Sequence, residues 1–251
     1  MTIAVAGKGG TGKTTFAALT VKYLLERGRT PILAIDGDPS SNLNLALGLP
    51  LETTIGQIRE EARGQVANGT FQAGISKPEY FAYKVEECVV EGNGVDLLAM
   101  GRPEGPTCYC AANNMLRSAI DRIGNEYACV VIDNEAGMEH ISRQTTRSVD
   151  HLFIVTDPTM RGVNAARHIV TLIGELGTRI GQSYLVVNRV AGELPPTLLQ
   201  EIETLGIPLA GVVPADPQVA EFDLVGRPLI ELDAASAVYR AVAKILSERL
   251  G

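Results

Sequence analysis

The sequence lacks the features that would assign it to several large functional classes. It has no surplus of positive charge: 22 Lys and Arg stand against 29 Asp and Glu, a net charge of −7. Non-specific nucleic-acid binding relies on clustered cations to displace phosphate counterions, so no nucleic-acid partner is expected. No apolar run approaches bilayer-spanning length, and the start, "MTIAVAGKGG", lacks the charged-then-apolar layout of a signal peptide. A cytoplasmic protein without stable membrane association is the expectation. Cysteine is sparse: four thiols in an intracellular chain make poor structural disulfides. There is no Pro- or Ser-rich linker and no internal repeat, which points to one domain over 1–251.

What is present is a rhythm of short apolar runs and helical patterns. Runs at 2–7, 31–36, 95–100, 127–133, 151–156, 183–188 and 209–214 read as strands, with helices over 13–27, 111–124, 162–176, 197–205 and 235–248. Near-continuous hydrophobicity within the strands is the mark of burial on both faces. The expected fold is therefore α/β, a single doubly wound and mainly parallel sheet flanked by helices. The segment at about 50–90 is long, polar and weakly patterned, and reads as an irregular excursion off the sheet.

After the first apolar run comes "GKGGTGKTT", residues 7–15. Gly7, Gly9 and Gly12 satisfy a dinucleotide fingerprint, but Gly7, Gly12, Lys13 and Thr14 also satisfy the P-loop template. The lysine and hydroxyl decide for the P-loop, because a nicotinamide loop has no use for them. Its glycines let backbone N–H groups curl around phosphate oxygens beside a helix N-terminus. Lys13 would reach the outer phosphates, and Thr14 would offer its hydroxyl to Mg²⁺. The nucleotide-binding set is Gly7, Lys8, Gly9, Gly10, Thr11, Gly12, Lys13, Thr14 and Thr15. The second strand ends in "AIDGDPSSN", placing Asp36 and Asp38 at its carboxyl end, where open α/β sheets bind ligands. Asp38 is the candidate to orient or deprotonate the attacking water. Asp36 would hold Mg²⁺-bound water.

"GRPEGPTCYCAANN" puts two thiols, Cys108 and Cys110, one residue apart. Zinc-like ions prefer four ligands in a closed tetrahedron, and one C-x-C supplies two. Two subunits of a symmetric dimer would supply four. Packing or redox roles remain alternatives from the residues alone. Cys88 and Cys129 read as small buried hydrophobes, and His151 and His168 as structural or exposed. His140 is a weaker candidate for a relay. The apolar stripe Val238, Val242, Ile245 and Leu246 suits a helix packed on the sheet.

"KGGTGKT" resembles the deviant Walker A motif of the MinD/ParA/nitrogenase-iron-protein group of ATPases. That resemblance implies ATP and ADP as ligands and a nucleotide-sandwiched homodimer crossed by Lys8. Lys8 then joins Lys13 and Asp38 in the catalytic set. It also implies that Asp133 and Gly137 form a switch sensing the γ-phosphate, with Asp133 near the Mg²⁺ site through water. Asn188 and the turn Pro214, Ala215 and Asp216 would hold the purine.

Taken together, "GKGGTGKTT", "DGDP", "CYC", "DNEAGMEHISR", "VNRV" and "VPADP", spread from residue 7 to about 216, resemble the CooC-type nickel-insertion ATPases. That family matures carbon monoxide dehydrogenase, or in a close relative serves acetyl-CoA synthase. The resemblance implies that the C-x-C pairs of two subunits share Ni²⁺, with Zn²⁺ possible in its place. His140 stands where nitrogenase iron proteins carry a cluster cysteine, which disfavours an electron-transfer role. The alternative function is an ATP-gated switch or scaffold in which C-x-C merely packs.

Overall fold

A computed structural model describes residues 1–68, 77–102, 118, 120, 122–135, 148–176 and 179–251. Seven strands form one sheet in the order β3-β2-β4-β1-β5-β6-β7. They are β1 (Thr2–Gly7), β2 (Ile32–Asp36), β3 (Val95–Ala99), β4 (Cys129–Asp133), β5 (Ser148–Thr156), β6 (Arg179–Val190) and β7 (Leu209–Pro214). Every strand ladder is parallel. The helices are α1 (Lys13–Glu26), α2 (Leu43–Leu47), α3 (Ile55–Ala67), α4 (Lys77–Glu87), α5 (Met160–Leu176), α6 (Pro196–Glu203), α7 (Pro217–Val225) and α8 (Ala237–Leu250).

Period-two alternation sorts the strand side chains into two cores. Ile3, Val5, Ala34, Val131, Phe153 and Val186 face one layer with α1, α2, α7 and α8. Ala4, Ala6, Ile35, Ile132, Ile154 and Val187 face the other with α3, α4, α5 and α6. Helix α1 has buried positions around much of its circumference, Phe16 to Val21 among them, because it lies between the sheet and α8. Ser236 caps α8 by accepting the Tyr239 N–H, and the stripe Val238, Val242, Ile245 and Leu246 is buried in the core.

The seven expected strands are all present, most within two residues of the expected bounds, and the largest differences of extent lie at two strand starts. β5 begins at Ser148 and β6 at Arg179, earlier than the apolar runs suggest. Most of the added residues, such as Ser148, Arg179 and Gln182, join the ladder through backbone, and several are exposed, while Val149 beside Ile180 adds a single apolar contact. One apolar pair among polar neighbours is too little for hydropathy to mark. The segment expected to be irregular, about 50–90, instead carries α3 and α4. Only a few apolar positions, including Ile55, Ile58, Ala62 and Val85, are buried there, enough to seat two otherwise polar helices on the sheet. The helix expected over 111–124 lies largely outside the described residues. Among the described residues, no helix is long and apolar enough to cross a membrane.

Candidate functional site: a phosphate loop, three carboxylates and a cavity

Parallel pairing brings the carboxyl ends of the strands to one edge, and sequence-predicted residues gather there. Asp36 sits directly beside Asp133 in the β2/β4 ladder, Val5 beside Asp133, and Gly7 beside Val155. Gly7 must be a glycine: a Cβ there would lie 2.1 Å from the Val155 carbonyl oxygen. The loop that follows turns into α1 at Gly12, whose φ of 89° is left-handed. Inside it, Thr11 Oγ1 donates to the Lys8 carbonyl at 2.9 Å, and Lys13 Nζ reaches the same oxygen at 3.5 Å. Lys13 is buried, whereas Lys8 is exposed at the mouth.

Thr14 Oγ1 donates to Asp133 Oδ2 at 2.6 Å. Asp36 accepts the backbone N–H groups of Asp38 at 3.0 Å and Leu43 at 2.8 Å. Asp38 is half-buried, and its Oδ1 accepts the Ser40 N–H at 2.8 Å. Burial pushes the Asp36 carboxyl up to about 6, against the backbone hydrogen bonds that favour its ionised form. Burial pushes Asp133 up to about 7, opposed by the Thr14 hydrogen bond, while the charges of Asp36 and Asp38 raise it further. Three carboxylates thus share a small volume where the Lys13 charge opposes their repulsion on Asp133.

This arrangement fits a divalent cation. Asp133 Oδ1 is buried and, among the described residues, has no hydrogen-bond partner. Among those residues, no three of His, Cys, Asp and Glu are grouped to hold an ion directly. Thr14, water and phosphate oxygens would complete the shell, as Mg²⁺ prefers.

Burial of an acid without a cation has a stability consequence of definite sign. Asp133 holds its proton more tightly folded than at its ordinary 3.8, so folded-state stability falls as pH rises from about 4 through about 7. Asp133→Asn removes the charge, and ligand-free stability should rise at pH 8 by about 1–3 kcal/mol. At pH 4 no such gain should appear. Thermal melts at both pH values test this, and an equal gain at both would assign the effect to packing.

Asn188, Arg189, Pro214, Ala215 and Asp216 border a cavity of about 510 Å³ next to Thr15, of a size suited to a small organic ligand. Asn188 is buried, and its Nδ2 donates to the Thr11 carbonyl at 2.8 Å. Asp216 Oδ1 caps α7 through the Gln218 N–H at 2.9 Å, and the Ala215 N–H donates to the Val190 carbonyl at 3.0 Å. The cavity and the phosphate loop therefore meet at Asn188.

Two residues outside the expected site set also contribute to this edge. Asn134 is buried and donates Nδ2 to the Val5 carbonyl at 2.9 Å, tying β4 to the strand that launches the loop. Arg189 donates from Nη1 to the Gly10 carbonyl at 2.7 Å. Cys108, Cys110, Gly137 and His140 lie outside the described residues. Cys88 and Cys129 are buried, each 2% exposed, and burial pushes the Cys88 thiol up to about 12 and raises that of Cys129. His151 is partly buried against the Tyr184 ring, and His168 is exposed.

The model for the CobQ/CobB/MinD/ParA nucleotide binding domain matches residues 2–229. An uncharacterized ATP-binding protein of Methanocaldococcus jannaschii is 43% identical over 98% of this chain and 96% of its own length. The carbon monoxide dehydrogenase accessory protein CooC of Rhodospirillum rubrum is 31% identical over 100% of this chain and 98% of its own length. Among solved structures, the septum site-determining protein MinD complexed with Mg-ADP from Pyrococcus horikoshii superimposes with a TM-score of 0.69 at 22% identity. It covers 99% of this chain and 96% of that one, a likeness of fold.

Proposed function

Because the chain belongs to the CobQ/CobB/MinD/ParA family of nucleotide-binding ATPases, we propose that it is a Mg-ATP-dependent homodimeric ATPase that supports nickel insertion. Its client on this reading is carbon monoxide dehydrogenase or acetyl-CoA synthase. The observation that carries the ATPase part is the meeting of Lys13, Thr14, Asp36, Asp38 and Asp133 at one sheet edge, beside a base-sized cavity. The nickel part draws on the C-x-C pair and on 31% identity to an accessory protein of a carbon monoxide dehydrogenase. The same fold in MinD motivates the alternative of an ATP-gated switch with no cargo.

In this reading the loop amides from Gly9 to Thr15 cradle the phosphates, and Lys13 leaves the Lys8 carbonyl to meet the outer ones. Thr14 and, through water, Asp36 and Asp133 would hold Mg²⁺, which would supply neutralisation of the phosphate charge. Asp38, half-buried at the mouth, orients the attacking water and takes up its proton as the bond to the leaving phosphate breaks. Lys8, exposed at the mouth, extends to the phosphates of a facing subunit and ties ATP binding to dimer closure. Asn188, Pro214, Ala215 and Asp216 hold the purine. ATP then favours the closed dimer only to the extent that it binds that state more tightly. Closure would assemble the four thiolates of Cys108 and Cys110, and hydrolysis would loosen them, with the metal as cargo.

Single-turnover kinetics of Asp38→Ala test the hydrolytic assignment. The variant should bind ATP as the parent does and hydrolyse it about 10²–10⁴-fold more slowly, the usual contribution of a group positioning or deprotonating water. Unchanged turnover would move the role elsewhere, with Asp36 the next candidate.

A further inference from the structure

The turn that ends β6 carries a feature the nucleotide-binding reading does not use. Pairing of β6 with β7 shifts register between Val187 and Val190, so Asn188 and Arg189 bulge from the ladder. Such bulges re-aim side chains next to sites. Arg189 has a φ of 58°, and among the described residues only Ser41 shares a positive φ without being glycine. A long side chain is disfavoured in that region, and such a conformation persists where its surroundings hold it.

The restraints are visible. The Arg189 guanidinium donates to the Gly10 carbonyl at 2.7 Å, while Asn188 Nδ2 donates to the Thr11 carbonyl at 2.8 Å. The Arg189 N–H in turn donates to Asn188 Oδ1 at 2.9 Å, fixing the orientation of that amide. Two successive carbonyls of the phosphate loop are therefore taken up by one turn. Gly10 and Gly12 both have left-handed backbone, with φ of 80° and 89°. A Cβ on Gly12 would lie 2.3 Å from Asn188 Nδ2, so the loop is seated directly against the turn. A phosphate nest works by aiming consecutive N–H groups inward. Each peptide unit is planar, so fixing its carbonyl fixes the following N–H as well. Holding the Gly10 carbonyl therefore fixes the Thr11 N–H, which closes the loop by donating to the Lys8 carbonyl at 3.4 Å, and holding the Thr11 carbonyl orients the N–H of Gly12.

We infer that Arg189 is a positioning residue for the phosphate loop. Through the Gly10 carbonyl it holds the loop in the curl that grips phosphate, and it links that curl to the turn bordering the cavity. The inference rests on the reading of this edge as an ATP site. It differs from that reading in giving a role to a side chain that acts on the loop rather than on the nucleotide.

The test is calorimetric titration of wild type, Arg189→Gly and Arg189→Lys with Mg-ADP and with inorganic tripolyphosphate. Arg189→Gly deletes the guanidinium while favouring the positive φ, so the melting temperature without ligand should be unchanged or higher. Both ligands should nevertheless bind about tenfold more weakly, in line with loss of one charge-assisted hydrogen bond. Arg189→Lys, which can still donate to the carbonyl, should recover part of the loss for both. A purely structural role would lower the melting temperature and spare affinity in the folded protein. Unaltered affinity of Arg189→Gly for both ligands would overturn the inference. So would a loss confined to Mg-ADP, because that would place Arg189 on the nucleoside. Should Arg189→Gly fail to fold, Arg189→Asn, also tolerant of left-handed backbone, carries the same comparison. Absence of Mg-ADP binding by wild type would instead strike at the ATP site itself, a failure separable because it precedes any variant.

Discussion

Lys13→Ala should bind Mg-ATP at least about 100-fold more weakly than the parent protein and should hydrolyse none at detectable rates. Lys13 begins α1, is only 8% exposed, and turns its ammonium back over the loop towards the Lys8 carbonyl. Its charge also opposes the upward pKa shift of Asp133, which lies among three clustered carboxylates. Truncation leaves that negative cluster without its nearby cation just where a highly anionic ligand must enter. The lost charge-assisted hydrogen bonds are worth about 1.5–3 kcal/mol each, and every 1.4 kcal/mol is about tenfold in affinity. Equilibrium binding of a fluorescent ATP analogue measures the effect, alongside a melt of the ligand-free variant to show that it is folded. Affinity equal to that of the parent would remove the basis for the phosphate-loop assignment.

The phosphate loop is legible in the sequence because its chemistry is local. Gly7, Gly12, Lys13 and Thr14 act at fixed spacing within one strand–loop–helix unit, and the structure keeps them on such a unit. Asp36 and Asp133 are different. Asp36 is a candidate from its strand end and Asp133 from the family resemblance, but their adjacency depends on β2 pairing with β4, and nothing in either segment states that order. Burial is the main cause of the upward shift of Asp133, and the repulsion from Asp36 that adds to it is a property of topology. Arg189 was harder still. Its contact with Gly10 arises from a register shift between β6 and β7 and from a backbone conformation that arginine does not favour.

The strands were readable because burial on both faces demands continuous apolar residues. The polar beginnings of β5 and β6 give little hydropathy signal, since Ser148, Arg179 and Gln182 extend the ladder through backbone hydrogen bonds without joining the core. Helices α3 and α4 escaped for a related reason. Both segments are rich in charged side chains, and an amphipathic helix with a narrow apolar face resembles an irregular loop by composition.

The second large effect concerns Cys108 and Cys110. On the proposed nickel-insertion reading, a C-x-C pair would offer two thiolates, half of a tetrahedral thiolate site, and the same pair on a second subunit would supply the other half. Cys88 and Cys129 are poor substitutes, because both are buried with thiols held in the protonated form by desolvation. A metal that binds only the dimer must also favour the dimer by mass action, even without nucleotide. Replacing both cysteines with serine should abolish that metal-driven association, since a neutral hydroxyl is a far poorer ligand for a soft site. ATP binding should survive, because the phosphate loop and the cavity are built from other residues.

Nickel titration followed by analytical ultracentrifugation, on the parent and on the Cys108→Ser/Cys110→Ser protein, is the most direct test of metal delivery. Nickel handling through paired subunits predicts one ion per dimer, association of the parent on adding metal without nucleotide, and a double variant that stays monomeric under those conditions yet binds ATP when it is supplied. One ion per monomer, or association indifferent to the two cysteines, would contradict it.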